Sequence, residues 1–376
     1  MKSRGGRRRP AAARATRALG QRTSLKHLAA LTGYSITTVS MVLNGRAEEF
    51  SIAADTRDLI LAAARELNYR PDLHARSLRS RTTNILGLMV PTLNNRFFSE
   101  MAETFERLSR RDEKLALITV TNYSRREEVE SLNYFLSQKV ECVFIANPMA
   151  VGDVTRLCRR AGTRQVVLDA PDSGGPTVST DNYDASLVLT RVLVRSMASA
   201  GRRGRVYFLG GMADHAVTRL RLAGFRAALR EQGIRYAESQ FVETLFDGDS
   251  AYREIELLFR KRTDIGGLFV NSLLPMDGLV RYFGEAPEAC RAVHYGVFDY
   301  HPMMDLLVDL KVAAIRQDPE QMMHKAYEIF GAPAAHRARR VHTIPYELIL
   351  SPSLKQFVPE PRGGASRRQR LEASGT

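Results

Sequence analysis

Short apolar runs alternate with helical patterns along most of the chain, in two successive series. The first four runs lie at 85–90, 115–120, 142–146 and 166–169, with helical patterns at 98–110, 126–137 and 151–161. The second series has runs at 206–209, 241–245, 267–270 and 292–298, with helical patterns at 218–232, 250–261, 276–283 and 303–309. Strands that alternate with helices form parallel sheets with helices on both faces. The pattern therefore predicts two doubly wound α/β subdomains, and ligands of such sheets bind beyond the carboxyl ends of the strands.

Length and composition exclude several classes of protein. The chain has 376 residues and is 44% hydrophobic, which is typical of a globular protein with two or three domains. No apolar run approaches the roughly 18–20 residues of a membrane span, and the basic N-terminus lacks the apolar core of a secretory signal. The three cysteines, Cys142, Cys158 and Cys290, form no CxxC pair, so neither a disulfide framework nor a zinc ribbon is indicated. We therefore expect a cytoplasmic protein.

The formal net charge of +14 is concentrated at the N-terminus. Residues 1–22 carry eight basic side chains and no acidic one. One interpretation is a polyanion partner at that end, and the other is a solvated tail that only keeps the protein soluble. The composition of residues 1–22 and of 356–376 predicts that both tails are disordered.

Residues 23–69 predict three short helices. Ser24 and Ser35 can cap the first two, and Gly33 between them suits a left-handed turn. The third helix would open at Ala54 or Asp55. Two helices joined by a glycine-containing turn are typical of a helix-turn-helix, although an ordinary helical bundle has the same pattern. The expected buried side of the first helix is Leu25, Leu28, Ala29 and Leu31.

Residues 70–81 follow as a short polar segment that begins near Pro71. It is too short to be a stable helix alone. It could become ordered on DNA, with Leu78 wedged between base pairs from the minor groove. The alternative is a plain linker between domains.

The stretch SLKHLAALTGYSITTVSMVLNG…TRDLILAAARELNYRPDLHARSLRSRTTNILGLMVP resembles the N-terminal region of LacI-family transcription regulators, and the resemblance continues to about Pro352. There are departures. Met41 stands where many members have an arginine, the loop 45–51 is longer than usual, and Ala53 replaces a common serine. The loop and Met41 resemble the fructose-repressor (catabolite repressor/activator) branch, which favours a phosphorylated sugar as the effector.

The resemblance implies an N-terminal all-α helix-turn-helix headpiece and a periplasmic-binding-protein-like sensor of two doubly wound subdomains. The implied parts are a tail (1–22), a DNA-binding domain (23–69), a hinge (70–81), a sensor (82–355) and a second tail (356–376). Within the sensor we expect an N-subdomain at 82–183 plus 317–337 and a C-subdomain at 184–316 plus 338–355.

The implied function is that of a sequence-specific DNA-binding regulator, a repressor, controlled by a sugar or sugar phosphate. A homodimer would bind a near-palindromic double-stranded operator. The alternative is a sugar-binding protein without a regulatory role on DNA. No enzyme, cofactor or metal motif is present in the sequence, so we expect neither a catalytic site nor a cofactor. The implied DNA contacts are Ser24, Ser35, Ile36, Thr37, Thr38, Ser40, Met41, Asn44, Tyr69, Leu73, His74, Arg76 and Leu78.

The implied effector site consists of residues that follow strands, together with an arginine in an Arg-x-x-Gly-Phe motif. Arg221 carries that motif, and a guanidinium can grip two hydroxyls, a carboxylate or a phosphate. A surface salt bridge is its alternative role, and Asp181-Asn182 could be either a helix cap or part of the site. The expected effector residues are Asn95, Phe97, Phe98, Asp169, Arg221, Asn271, Phe298, Asp299 and Gln317.

Overall fold

The computed structural model describes residues 24–69, 83–170, 174–306, 310–332 and 341–355. The chain divides into two compact units, residues 1–83 and 84–376. The two tails and the four hinge candidates Leu73, His74, Arg76 and Leu78 lie outside the described residues. None of the helices in these ranges has the length and apolarity that a membrane crossing requires.

The first unit contains three helices, α1 (Leu25–Thr32), α2 (Ile36–Leu43) and α3 (Ala54–Glu66). The hydroxyls of Ser24 and Ser35 cap the first two helices as predicted. Gly33 ends α1 at φ 75°, in the left-handed region that costs glycine little. Leu28, Val39 and Ile60 form the centre of a small core.

Leu31 does not belong to that core. Its side chain is 57% exposed, so the predicted buried side of α1 is wrong at this position. A helix of eight residues has only two turns, and in α1 Leu28 and Ala29 are buried while Leu25 packs, half-buried, against the same core.

The second unit contains two six-stranded sheets, which confirms the predicted pair of doubly wound subdomains. In the first sheet the strand order is β11-β5-β4-β3-β1-β2, and in the second it is β12-β10-β9-β8-β6-β7. All described strand pairs are parallel except β10 with β12. The strands are β1 (Ile85–Val90), β2 (Leu115–Val120), β3 (Cys142–Ala146), β4 (Arg164–Leu168), β5 (Thr177–Thr180), β6 (Arg205–Leu209), β7 (Phe241–Val242), β8 (Ile265–Val270), β9 (His294–Phe298), β10 (Lys311–Arg316), β11 (Val341–Ile344) and β12 (Glu347–Leu350).

Helices cover both faces of each sheet, and each face has its own apolar cluster. The segment predicted as a helix at 303–309 overlaps a 3₁₀ turn at Pro302–Leu306, and residues 307–309 lie outside the described residues. The helices of this unit are α4 (Arg96–Arg111), α5 (Arg125–Ser137), α6 (Val151–Ala161), α7 (Asn182–Ser199), α8 (Ala216–Glu231), α9 (Gly248–Lys261), α10 (Leu273–Glu285), α11 (Pro287–Arg291), α12 (Pro319–Gly331) and α13 (Pro352–Lys355).

The chain passes between the subdomains three times, after β5, after β10 and after β11. The predicted assignment of 338–355 to the C-subdomain is therefore wrong for β11. Val341–Ile344 pairs in parallel with Thr177–Thr180 of the first sheet. The physical reason is that α12 packs on the first sheet, and a strand that follows such a crossover helix returns to the same sheet.

Gly224 in α8 lies directly against the backbone of α7. A Cβ at this position would overlap the backbone carbonyl oxygen of Tyr183 and lie 3.0 Å from the backbone nitrogen of Leu187. Since both neighbours are backbone atoms, they cannot move away cheaply. The glycine of the Arg-x-x-Gly-Phe motif therefore sets the distance between two helices of the second subdomain.

Gly224→Ala should lower the free energy of unfolding of the second unit by about 1–3 kcal/mol because it overpacks this contact. Gly284→Ala is the matched control, since no atom lies within 4 Å of its added Cβ and it too is in a helix. Alanine should stabilise that position by about 0.5–1 kcal/mol. Urea denaturation measures both changes, and equal effects of the two substitutions would contradict the close contact.

Candidate functional site

Residues from both sheets meet around the guanidinium of Arg221. Arg221 lies in the second turn of α8, and only 3% of it is exposed, which excludes the surface salt bridge. Its Nε donates to Oδ1 of Asn182 at 2.8 Å, and its Nη1 donates to the backbone oxygen of Asn271. Its Nη2 lies 3.8 Å from Oδ2 of Asp169. The guanidinium carbon lies 3.5 Å from the ring centre of Phe298, so the ring forms a cation–π contact under the charge.

Two aspartates follow corresponding strands of the two sheets. Asp169 follows β4 and Asp299 follows β9, and both have left-handed backbones, at φ 55° and 74°. Such a conformation is strained for a residue with a side chain and is often found at functional sites. Oδ1 of Asp169 accepts hydrogen bonds from Ser179 and from Asn182, the latter at 2.7 Å.

The Asp299 carboxylate is held by the amide of Gln317. Gln317 Nε2 donates to Asp299 Oδ1 at 2.6 Å, and both residues are buried. Burial raises the pKa of Asp299, and the charge of Arg221 opposes this shift. Burial likewise lowers the pKa of Arg221, with Asp299 and Asp169 opposing. The Arg221 charge therefore offsets part of the cost of burying Asp299, whereas the charges of Asp169 and Asp299 repel each other.

Several polar atoms around this cluster are buried without a hydrogen-bond partner. They include Oδ1 of Asn271, Oε1 of Gln317 and Oδ1 of Asn147. Buried polar groups in proteins are normally paired, and each exception requires an explanation. Here the unpaired atoms follow β8, β10 and β3, at the strand ends where ligands of such sheets bind.

An aromatic pair joins the subdomains beside the cluster. The rings of Tyr123, after β2, and Phe246, after β7, are stacked with centres 4.5 Å apart, and His215 contacts both edge-on. Tyr123 and Phe246 have left-handed backbones, as do the residues that precede them. Burial raises the pKa of the Tyr123 phenol, and the Asp299 charge raises it further.

Two cavities open next to these residues. A cavity of about 140 Å³ is lined by Phe97, Asp299 and Gln317, among others. A cleft of about 540 Å³ is lined by Tyr123, Phe246 and further residues of both subdomains. The larger volume is within the range of small-molecule sites. Within the described ranges, no group of three or more His, Cys, Asp or Glu side chains could hold a metal ion.

The structure brings together seven of the nine expected effector residues. Asp169, Arg221, Asn271, Phe298, Asp299 and Gln317 form the cluster, and Phe97 lines the smaller cavity. Asn95 and Phe98 do not line it: Oδ1 of Asn95 accepts from the backbone N–H of Phe97 and caps α4, while Phe98 packs in the apolar core.

Four residues of the site are absent from the sequence-based set: Tyr123, Asn182, His215 and Phe246. The two roles considered for Asp181-Asn182, a helix cap and a part of the site, belong to one residue each. Asp181 caps α7, and Asn182 bonds to both Asp169 and Arg221. The rule that ligands bind after strands points to Tyr123 and Phe246, but β7 has only two residues and its end is hard to recognise.

The first helices expose part of the expected DNA-binding set. Ser24, Ser35, Ile36, Thr37 and Asn44 are exposed, although the serine hydroxyls also cap their helices. Thr38 and Met41 are half-buried. One expectation needs correction. Ser40 is buried and its hydroxyl accepts from the Asn44 amide, because it lies on the side of α2 that faces the other helices. Tyr69 is half-buried and packs against the core of the unit.

Burial lowers the pKa of His215 to about 4, although the backbone of Asn147 and the charge of Asp169 oppose the shift. Between pH 6.5 and pH 4 the unfolded chain therefore binds a proton that the folded His215 does not, and stability falls as the pH falls. The loss should reach about 3 kcal/mol. Compared with the wild type, His215→Gln should lose less stability over this interval in urea titrations. If the free energy of unfolding of the two proteins fell in parallel with pH, the His215 ring would bind a proton in the folded protein as readily as in the unfolded chain.

Comparison with protein families gives two matches. The model described as "Bacterial regulatory proteins, lacI family" matches residues 24–72, and that of the periplasmic binding protein domain matches residues 86–334. The sucrose operon repressor of Klebsiella pneumoniae is 30% identical over 313 residues, which are 83% of this chain and 92% of the relative. The fructose operon regulatory protein of Vibrio cholerae is 26% identical over 341 residues, 86% of this chain and 98% of the relative.

Solved structures with the same fold include a lac repressor dimer bound to operator and the anti-inducer ONPF. It has a TM-score of 0.74 and 18% identity, and the match covers 88% of this chain and 98% of that one. The Cra dual regulator of Pseudomonas putida in complex with fructose 1-phosphate has a TM-score of 0.62 and 19% identity, over 71% of this chain and 98% of that one. With the two family matches and the 30% identical relative, these likenesses lead to one conclusion: the chain belongs to the lacI family of bacterial regulatory proteins.

Proposed function

We propose that this protein is a transcriptional repressor that binds operator DNA as a homodimer and responds to a small sugar bound between its subdomains. The observation that carries the proposal is the Arg221 cluster. It joins both subdomains through a buried charge and leaves polar atoms unpaired at the strand ends. A ligand there would contact both subdomains at once. The comparison with a sucrose operon repressor supports a sugar as the signal.

The first unit supplies the DNA-binding surface of the proposal. The first turn of α2 presents Ile36 and Thr37 to solvent, and the helix has no acidic residue in that turn. In a helix-turn-helix these positions reach base edges in the major groove. The two-fold symmetry of a dimer would make the operator a near-palindrome.

The edge strand β2 supports self-association. Leu115 is 49% exposed and Ile118 and Val120 are each 37% exposed, and in the described sheet β2 pairs only with β1. An apolar, unpaired strand edge is a surface that proteins usually cover. A second copy of the chain is the partner that the proposed dimer provides.

The coupling between the two sites follows from differential affinity. A ligand shifts a protein between two conformations only if it binds one more tightly than the other. Bound at the Arg221 cluster, a sugar would favour one relative arrangement of the subdomains. That arrangement would set the spacing of the two DNA-binding units in the dimer.

The rival candidate is a sugar-binding protein without a role on DNA. It would require the same cleft, so the cleft does not separate the two functions. The DNA-binding surface does, because only the repressor needs it.

Ile36→Glu should weaken operator binding by about tenfold or more, because it places a carboxylate where the phosphates and base edges are expected. Leu59→Glu is the matched control, since Leu59 is 49% exposed on α3 and Ile36 is 44% exposed on α2. Fluorescence anisotropy with DNA selected by the wild-type protein measures both affinities. Equal losses would contradict the role of α2, and a wild-type protein that selects no sequence would favour the rival.

Arg221→Lys should leave operator affinity unchanged and abolish the response to the sugar that releases the wild type. Lysine keeps the charge that balances Asp169 and Asp299 but lacks the guanidinium fork. Arg230→Lys on the exposed end of α8 is the matched control. Anisotropy with and without sugar provides the measurement. A normal response of the Arg221 variant would remove this residue from the effector site.

A further inference from the structure

We infer that the effector is an uncharged polyhydroxylated molecule, a free sugar or polyol, and not a sugar phosphate or sugar acid. This inference rests on the proposed function, because it concerns the ligand of the same cleft. It also departs from the phosphorylated effector that the longer loop and Met41 favour.

The first argument is the inventory of hydrogen-bonding groups. Around Arg221 the unpaired atoms that can only accept are Oδ1 of Asn271, Oε1 of Gln317 and Oδ1 of Asn147, and the two ring nitrogens of His215 are unpaired as well. The orientation of the Gln317 amide is fixed, because its nitrogen donates to the Asp299 carboxylate. Acceptors are satisfied by O–H or N–H donors, and a phosphate offers almost none. A ligand with several hydroxyl groups fits this set.

The second argument is the state of the Arg221 guanidinium. A phosphate site in a protein usually offers an arginine fork or free backbone N–H groups. Here Nε donates to Asn182 and Nη1 to Asn271, Nη2 faces the Asp169 carboxylate at 3.8 Å, and Phe298 covers one face of the guanidinium. Its charge is already balanced by Asp169 and Asp299.

The third argument is the charge of the whole cleft. Six carboxylates and four guanidinium groups line the cluster and its two cavities, although the chain as a whole is strongly basic. The acids are Glu100, Asp169, Asp247, Asp249, Asp277 and Asp299, and the cations are Arg96, Arg221, Arg281 and Arg316.

Each of the three outer arginines already has an acidic partner. Arg96 pairs with Glu100, Arg281 with Asp249 and Arg316 with Glu347. A phosphoryl group carries a charge of about −1.5 to −2 at neutral pH. It would have to displace a carboxylate from one of these pairs or approach the buried acids, and like charges at about 4 Å repel strongly even at an intermediate dielectric.

Apolar faces complete the match to a sugar. Phe97 lines the smaller cavity, and Tyr123 and Phe246 line the larger cleft. A sugar ring has apolar C–H faces that pack on aromatic rings, while its hydroxyl groups point to the side. The cleft offers both kinds of surface.

Calorimetric titration of the full chain with matched pairs tests the ligand class. The pairs are D-fructose with fructose 1-phosphate, sucrose with sucrose 6-phosphate, and ribitol with ribitol 5-phosphate. We expect any bound pair to favour the uncharged member by about tenfold or more, and Arg221→Lys to abolish that binding. Equal or tighter binding of a phosphorylated member that also depends on Arg221 would overturn the inference.

Inorganic phosphate gives a second measurement that does not depend on the correct sugar. The wild type and Arg221→Lys should bind the same amount of phosphate, because we expect no phosphate binding that depends on Arg221. Comparing the two proteins subtracts any phosphate that the basic DNA-binding unit holds. Asp299→Asn should gain such binding, because one repelling charge is removed. Arg221-dependent phosphate binding by the wild type, or no gain in a folded Asp299→Asn, would contradict the role of the carboxylates.

Measurements of operator binding distinguish a failure of this inference from a failure of the proposed function. A sugar phosphate that releases the protein from its operator would overturn the ligand class and leave the repressor function intact. A free sugar that binds through Arg221 without changing operator affinity would contradict the proposed function and leave the ligand class intact.

Discussion

The buried guanidinium of Arg221 is the constraint on which the arrangement of the two subdomains depends. A buried cation is tolerated only where it is both paired and hydrogen-bonded. Here the partners come from both sides: Asp169 after β4 of the first sheet, Asn182 at the crossover, and Asn271 and Phe298 in the second sheet. Of these partners only Asp169 belongs to the first sheet, so its ion pair with Arg221 forms only while the strand ends of the two sheets face each other. The same requirement that fixes the fold at this point therefore assembles the site.

The two units of the chain have separate apolar cores. The first unit has one small core around Leu28, Val39 and Ile60, while each sheet of the second unit is covered on both faces. Gly224 and Arg221 show how closely structure and site are joined in the second unit. They are three residues apart on α8, one setting the distance to α7 and the other reaching Asn182 at the start of the same helix. The Arg-x-x-Gly-Phe motif thus combines a packing role with a polar one.

Much of the second unit was predictable from the sequence, because its strands are buried and apolar. Of the strands that the sequence pattern omitted, β5, β11 and β12 have only four residues each, and β11 and β12 lie at sheet edges, so burial leaves little trace in their sequence. β10 is the exception, since it lies inside the second sheet and four of its six residues are buried. Gln317 follows β10, a strand that the pattern omitted, and came instead from the family resemblance. The position of a residue after a strand pointed to Asp169, Asn271 and Asp299, which the structure brings together around Arg221. It could not indicate that the loops of Tyr123 and Phe246 adopt left-handed backbones and bring those rings together across the two subdomains, because that contact depends on tertiary packing.

The three crossovers between the subdomains have a mechanical consequence. Two subdomains joined by a single segment of chain can twist, slide and bend. Three side-by-side connections leave rotation about a common axis as the motion that costs the least energy. Opening and closing of this cleft is then a movement along one coordinate. Ligands of different size would stop that movement at different points but would not redirect it. A mutant or descendant of this protein could exchange one sugar for another at the cleft and still transmit the signal along the same axis, without any change in the connections themselves.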